Sequence, residues 1–414
     1  MFKRTVIGAA LALSLGAAAM PAYSADTIRV AFIDPLSGPF AATGTAGLKQ
    51  FEFVADYINK NGGVMGKKME VVPFDNKISP KESLIQLKRV IADGIQVVFQ
   101  GNSSGVANAL TDAIEKHNKR NPDKRVLYIN YSAVDPKLTN EKCNFWHFRF
   151  DANADMKMNA LTDVIAADKS LTKIYVIGQD YSFGKAVAAA AEKYLGEKRP
   201  DLKIVGNELH PIGKVKDFSP YIAKIKASGA QAIITGNWGA DMVGLAKAAE
   251  DAGLGIPMFT YYAAGDGITK AIGKGGVGKV RLVAEATLNP TLTKKWDDLL
   301  TAFKAKYPDA NFTQPRISSA MQMVAAAMEK SKSTEPFKVA SALEGMQFTT
   351  WWGDKITMRA SDHQIQLPIR IQVHTDKDIK HDFDNSGFGL LSELEVTAEA
   401  ASVPTTCKMK RPKK

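Results

Sequence analysis

The chain has 414 residues, 45% hydrophobic and 23% charged, with 32 Gly, 18 Pro and two Cys. That length supports two or three domains with cores of their own, and the composition excludes a disordered or collagen-like chain and a cysteine-rich framework or metal protein. Its 54 basic against 43 acidic residues give +11, spread along the chain, so charge alone selects no partner.

The first predicted element is an address. Lys3 and Arg4 precede an uncharged Ala- and Leu-rich run over 6–19, and Pro21 is followed by Ala22-Tyr23-Ser24-Ala25. The pattern predicts a secretory signal peptide over 1–25, cut after Ser24 or Ala25. The run is shorter than the about 20 apolar residues of a membrane anchor, and no cysteine stands at the cut for a lipid. Loss of Lys3 and Arg4 leaves a mature charge of +9. A monomer in the periplasm is expected, with no cofactor and no nucleic-acid partner. Export permits a disulfide. Cys143 and Cys407 are the two candidates, bridged or left as free thiols, and the polar segments around them favour the bridge.

Short apolar runs then alternate with longer amphipathic stretches. Residues 28–33, 69–74, 96–100 and 126–130 read as strands, and 173–177, 204–209, 232–235 and 258–261 as a second set. Leu48, Phe51, Val54, Ala55 and Ile58 recur at helical spacing until Gly62-Gly63 stops them, and Pro80 after Ser79 opens the next helix. Strands alternating with helices predict an α/β fold of βαβ units, with parallel sheets covered on both faces. The pattern occurs twice, with a break near 145–154, which predicts two lobes. Beyond Lys294 it turns helical over 296–307 and 318–330, then strand-like over 355–373, and the basic tail is expected to be disordered.

Ligands of open α/β sheets bind beyond the carboxyl ends of strands. The segments to watch are therefore 35–38, 101–105, 131–135, 179–184, 236–241 and 261–266. Residues 273–280 mimic a phosphate-binding loop, but Val280 stands where that motif needs a hydroxyl for Mg²⁺, and a glycine-rich turn is the better account. Gly101-Asn102-Ser103-Ser104-Gly105 matches the G-x-S-x-G of a hydrolase elbow between a strand and a helix. Six histidines follow it, so a triad on Ser103 stays open. The alternative is that Ser103, Ser104 and the amides opening the helix hold an anion without reacting with it. No metal-ligand spacing is present. Trp351-Trp352 reads as a packed pair at a domain seam.

Residues 29–39, RVAFIDPLSGP, with Gly44, Ala55, Asn59 and 62–67, resemble the start of a branched-chain amino-acid binding protein, the leucine/isoleucine/valine-binding family of ABC importers. Asp75, Pro80, the 97–105 turn, Asp135-Pro136, Leu138-Thr139, Asp180-Tyr181, Phe183-Gly184 and Asp217-Phe218-Ser219 continue the likeness in order, over roughly 27–375. The resemblance implies a type I periplasmic binding fold: two Rossmann-like lobes with parallel sheets, joined by three hinge crossings. The N-terminal lobe would take 26–148 and 286–348, the C-terminal lobe 149–285 and 349–391, with a basic tail over 392–414. It implies no enzyme, and as partners a small-molecule carboxylate or amino acid and an inner-membrane ABC permease.

Residue by residue, the family's carboxylate clamp falls on Ser104, with Asn102 and Ser103 beside it. Its next clamp falls on Ala133 and Val134, where valine removes a hydroxyl. The tyrosine of the second lobe falls on Phe183, again without its hydroxyl, and an aromatic wall on Trp238 beside Asn237. The glutamate that accepts the ligand's ammonium falls on Tyr262 or its neighbour Tyr261, with Asp266 a substitute only if its loop turns inward. A buried ammonium without a carboxylate costs several kcal/mol. The expected ligand is therefore a hydrophobic or aromatic carboxylate without an α-amino group, and an amino acid held by Asp266 is the alternative. An exported sensor of the same fold and a serine hydrolase on residues 101–105 are the alternative functions.

Overall fold

The computed structural model describes residues 27–382 and 384–412, so the expected signal peptide lies outside the described residues. Five of the eight residues of β1 (Thr27–Asp34) at its carboxyl end are buried without alternation, as a strand covered on both faces requires. It is followed by α1 (Ala41–Lys60), β2 (Lys68–Asp75), α2 (Pro80–Ala92), β3 (Val97–Gln100), α3 (Ser104–Arg120), β4 (Leu127–Asn130) and β5 (His147–Arg149). These strands form one parallel sheet in the order β2-β1-β3-β4-β5. The predicted start of α2 is built as expected, with Pro80 in its first turn and the Ser79 hydroxyl accepting from the Glu82 amide at 3.3 Å.

The second lobe repeats the plan with α4 (Ala154–Ala167), β6 (Lys173–Gln179), α5 (Ser182–Lys198), β7 (Lys203–His210), α6 (Ser219–Ser228), β8 (Ala232–Thr235), α7 (Gly239–Asp251), β9 (Met258–Thr260), α8 (Ile268–Ile272) and β10 (Val280–Ala284). The chain returns to the first lobe as α9 (Lys294–Lys306), α10 (Arg316–Ser331) and α11 (Pro336–Leu343), with α10 packed on α1. β11 (Gln347–Thr349), β12 (Lys355–Met358) and β13 (Ile365–Gln366) make a small antiparallel sheet. β14 (Ile369–Thr375) and β15 (Gly389–Val396) then add antiparallel strands to the second lobe, giving the order β15-β14-β10-β9-β8-β6-β7, and α12 (Ala398–Ala401) follows.

Several boundaries lie elsewhere than the sequence predicts. Arg149 closes β5 in register with Asn130, and three residues are too few to read as a strand beforehand. The small sheet sits with the first lobe, not the second: Arg149 bridges to Gln364, and His363 stacks on Phe148 at 3.8 Å between ring centroids. β15 runs past 391 to Val396. The tail, expected to be disordered, is pinned to the first lobe. Cys407 is bonded to Cys143, the Thr405 hydroxyl donates to the Thr139 carbonyl at 2.8 Å, and Arg411 pairs with Glu344 at 2.5 Å. Trp351 and Trp352 pack against Trp296 inside the first lobe. In the glycine-rich turn, the Gly275 amide donates to the Glu250 carboxylate at 3.2 Å, so a side chain and not a phosphate occupies it.

Three segments cross between the lobes: 150–153, 285–293 and 367–368. Hydrogen bonds stitch them together. Gln364 Nε2 donates to the Asp151 carbonyl and an Arg370 guanidinium N–H to the Glu285 carbonyl, each at 2.8 Å. The cleft lies above these crossings, at the carboxyl ends of the parallel strands of both sheets.

Candidate functional site

Five of the six post-strand segments line one cleft between the lobes, which encloses about 910 Å³ with its open mouth included. On the first lobe, β3 ends at Gln100 and α3 opens at Ser104. Ser103 between them has φ +81°, a left-handed conformation that costs a non-glycine residue energy and concentrates at functional sites. No side chain caps α3, so its first amides and the Ser103 and Ser104 hydroxyls are free to meet an anion. The Ser104 hydroxyl accepts from the Asp135 amide at 3.2 Å and keeps its own proton for a ligand.

A buried carboxylate holds this turn from below. Asp34, the last residue of β1, accepts from the amides of Gly101 (3.2 Å) and Asn102 (2.9 Å) and from the Tyr131 hydroxyl (2.6 Å). Burial pushes its carboxyl up to about 7, against the lowering effect of those donors. Gly101 is required here: a Cβ would stand 2.7 Å from the Tyr131 ring.

The second lobe contributes an aromatic wall of Tyr181, Phe183, Trp238, Tyr261 and Tyr262. Tyr181 accepts from Trp238 Nε1 at 2.9 Å, and burial holds its hydroxyl far above the usual phenol range, so it remains a neutral donor. Two contacts close the lobes over the cleft. The Phe40 ring before α1 lies 4.3 Å from Trp238 between centroids, and the Thr43 hydroxyl donates to Asp266 Oδ2 at 2.8 Å. Gly239, at φ +55°, leaves the room that Phe40 occupies, since a Cβ would stand 2.8 Å from that ring. Asp266 itself adopts φ +54°, and its enclosure between the lobes raises its carboxyl to about 6.

The floor of the cleft carries four buried charges. Arg316, at the start of α10, donates to Glu285 at 2.9 Å and to the Ser132 hydroxyl at 2.8 Å, and lies 3.4 Å from Asp151. Lys157 on α4 donates to Asp151 at 2.9 Å. Burial lowers the Lys157 ammonium, with Asp151 opposing; burial also works against the Arg316 charge, but Asp151 and Glu285 hold it above its usual range. Among the described residues no cluster of His, Cys, Asp and Glu is placed to hold a metal ion.

A family model described as "Periplasmic binding protein" matches residues 27–378. Leu/Ile/Val-binding protein homolog 4 of Brucella abortus is 32% identical over 98% of this chain and 97% of that one. This chain belongs to the Leu/Ile/Val-binding family of periplasmic binding proteins. A Leu/Ile/Val/Thr/Ala-binding protein of Brucella ovis, solved in a closed conformation, superposes on this family member with a TM-score of 0.82 at 30% identity, covering 94% of this chain and all of that one. A Rhodopseudomonas palustris solute-binding protein solved with benzoate shares the fold, with a TM-score of 0.77 at 18% identity over 92% and 99% of the two chains.

The family's positions mostly come together in this binding protein. Asn102, Ser103, Ser104, Ala133, Val134, Phe183, Trp238, Tyr261, Tyr262 and Asp266 all line the cleft. Asn237 does not: it is fully buried behind the wall, with Oδ1 3.1 Å from His210 Nε2. Tyr181, two residues before Phe183 and inside a watched segment, brings a hydroxyl to the same wall. Lys157 and Arg316 escape a reading based on strand ends, because they come from helix starts; Glu285 directly follows β10, but that strand end was not among the watched segments. None of the six histidines lines the cleft beside Ser103.

Proposed function

We propose that this chain is the exported solute-binding component of an ABC importer, closing its lobes on one small apolar carboxylate and presenting the closed form to an inner-membrane permease. The observation that carries this reading is the uncapped start of α3, with Ser103 and Ser104, facing an aromatic wall from the other lobe. The anion end and the apolar body of a ligand meet different lobes, so both contacts form only on closure. Ligand therefore shifts an open–closed equilibrium by its differential affinity. A carboxylate without an α-amino group is favoured, because the Tyr262 hydroxyl, and not a carboxylate, faces Asp151 and the Ser132 carbonyl at that side. The inward turn of Asp266 favours the second reading, an apolar amino acid whose ammonium that carboxylate accepts.

Thermal shift decides between them, on mature protein refolded free of co-purified ligand. Leucine, isoleucine, valine and phenylalanine are compared with their deaminated acids and with benzoate. A ligand at 100 times its Kd adds about 2.7 kcal/mol and raises Tm. A rise with the acids supports the first reading. A rise with the amino acids alone replaces it by the second, and no rise with any of them sinks both.

A further inference from the structure

The floor of the cleft narrows the ligand class further, on the reading that a small carboxylate binds above it. Lys157 is 2% exposed yet lines the cleft. Its ammonium donates to Asp151 at 2.9 Å and to the Tyr262 hydroxyl at 3.3 Å, and lies 4.4 Å from the centre of that ring. An ammonium has three donors, so one N–H remains. The Tyr262 hydroxyl also lies 3.4 Å from the Ser132 carbonyl, on the loop whose Asp135 amide donates to the Ser104 hydroxyl. Lys157, Ser132, Ser103 and Ser104 all line the one cleft, so the remaining N–H is available to a ligand held there.

Charge balance says what it accepts. Lys157 and Arg316 are matched by Asp151 and Glu285, so the floor is neutral as it stands. A ligand ammonium there would be a third cation against two carboxylates, in a place where water cannot offset it. An oxygen acceptor instead completes the lysine's shell with a charge-assisted hydrogen bond. We propose that Lys157 is a specificity-determining residue, a built-in ammonium that selects carboxylates bearing an oxo or hydroxyl oxygen beside the carboxylate and rejects an amino group at that position.

The test is calorimetric titration with two matched trios: leucine, 4-methyl-2-oxopentanoate and 4-methylpentanoate; and phenylalanine, phenylpyruvate and 3-phenylpropanoate. In the unaltered protein the oxo acid of a trio should bind about tenfold or more tighter than the plain acid, with the amino acid weakest. The double variant K157M/D151N keeps the floor neutral. It should lose the oxo-over-plain preference, a ratio that a merely structural role would not move. The proposal is overturned if the unaltered protein prefers the amino acid, if the preference survives the substitutions, or if the plain acid weakens as much as the oxo acid. If no carboxylate of either trio binds, the transport reading falls and this inference with it. Should the double variant not fold, Lys157→Gln removes the charge and leaves two N–H donors in place of three. Its discrimination between amino acid and plain acid must then relax, and an unchanged ratio overturns the proposal.

Discussion

Single residues set the charge that a ligand meets. Among the described residues, no cation is paired with the Asp266 carboxylate in the cleft. Asp266 keeps one hydrogen bond, from Thr43, and its carboxyl is raised to about 6 by enclosure, with Asp384 adding to the rise. The two ligand readings therefore differ in the sign of their pH dependence. A carboxylate entering the closed cleft raises the Asp266 pKa further, so binding takes up a proton and affinity increases as pH falls from 8 towards 6. A ligand ammonium on Asp266 lowers that pKa, binding releases a proton, and affinity decreases over the same interval. Asp34, raised to about 7 beneath the Ser103–Ser104 turn, titrates in the same interval, so in titrations at pH 8, 7 and 6 the sign is read from the part of the slope that Asp266→Asn removes. The sequence shows Asp266 but not its direction, because a left-handed backbone at a non-glycine position leaves no mark in composition or periodicity.

At the scale of elements, the strand–helix alternation was legible because buried parallel strands are unbroken apolar runs and the helices between them carry clear stop and start signals. What it hides are pieces that are short or polar. β5 has three residues, and β15 exposes Glu393 and Glu395 along its edge, so neither shows an apolar pattern. The tail is similar: its lysines mask Thr405, Cys407 and Arg411, each of which finds a partner on the first lobe. The Cys143–Cys407 bond joins residues 264 apart. Closing so long a loop contributes about 5 kcal/mol on the chain-entropy model, an upper guide. The double substitution C143S/C407S should therefore lower Tm by about 5 °C or more in scanning calorimetry. An unchanged Tm would assign the tail's hold to its hydrogen bonds and to Arg411 alone.

At the scale of the whole molecule, two lobes were readable from the repeat of the pattern near 145–154, and the resemblance supplied the three crossings. How the lobes meet was not readable, since Phe40 and Trp238 look like core residues of separate units. In the structure they form one contact across the cleft mouth. Because Phe40 is buried chiefly against the other lobe, its loss should weaken the closed form and spare the open one. Phe40→Ala is expected to raise the Kd of any cleft ligand about tenfold, roughly 1.4 kcal/mol, with little change in the Tm of the free protein. A lower Tm with unchanged affinity would make Phe40 an ordinary core residue.

The route of the tail has a practical consequence for watching this closure. β1 begins at Thr27 in the first lobe, and Arg411 docks on Glu344 of that same lobe. On the proposed closure, both ends of the described chain thus move together. Fluorophores fused at the two ends would keep a nearly constant separation and report nothing of ligand capture. A responsive pair needs one dye at an end and the other in the turn between β14 and β15, near Asp378, which travels with the opposite lobe.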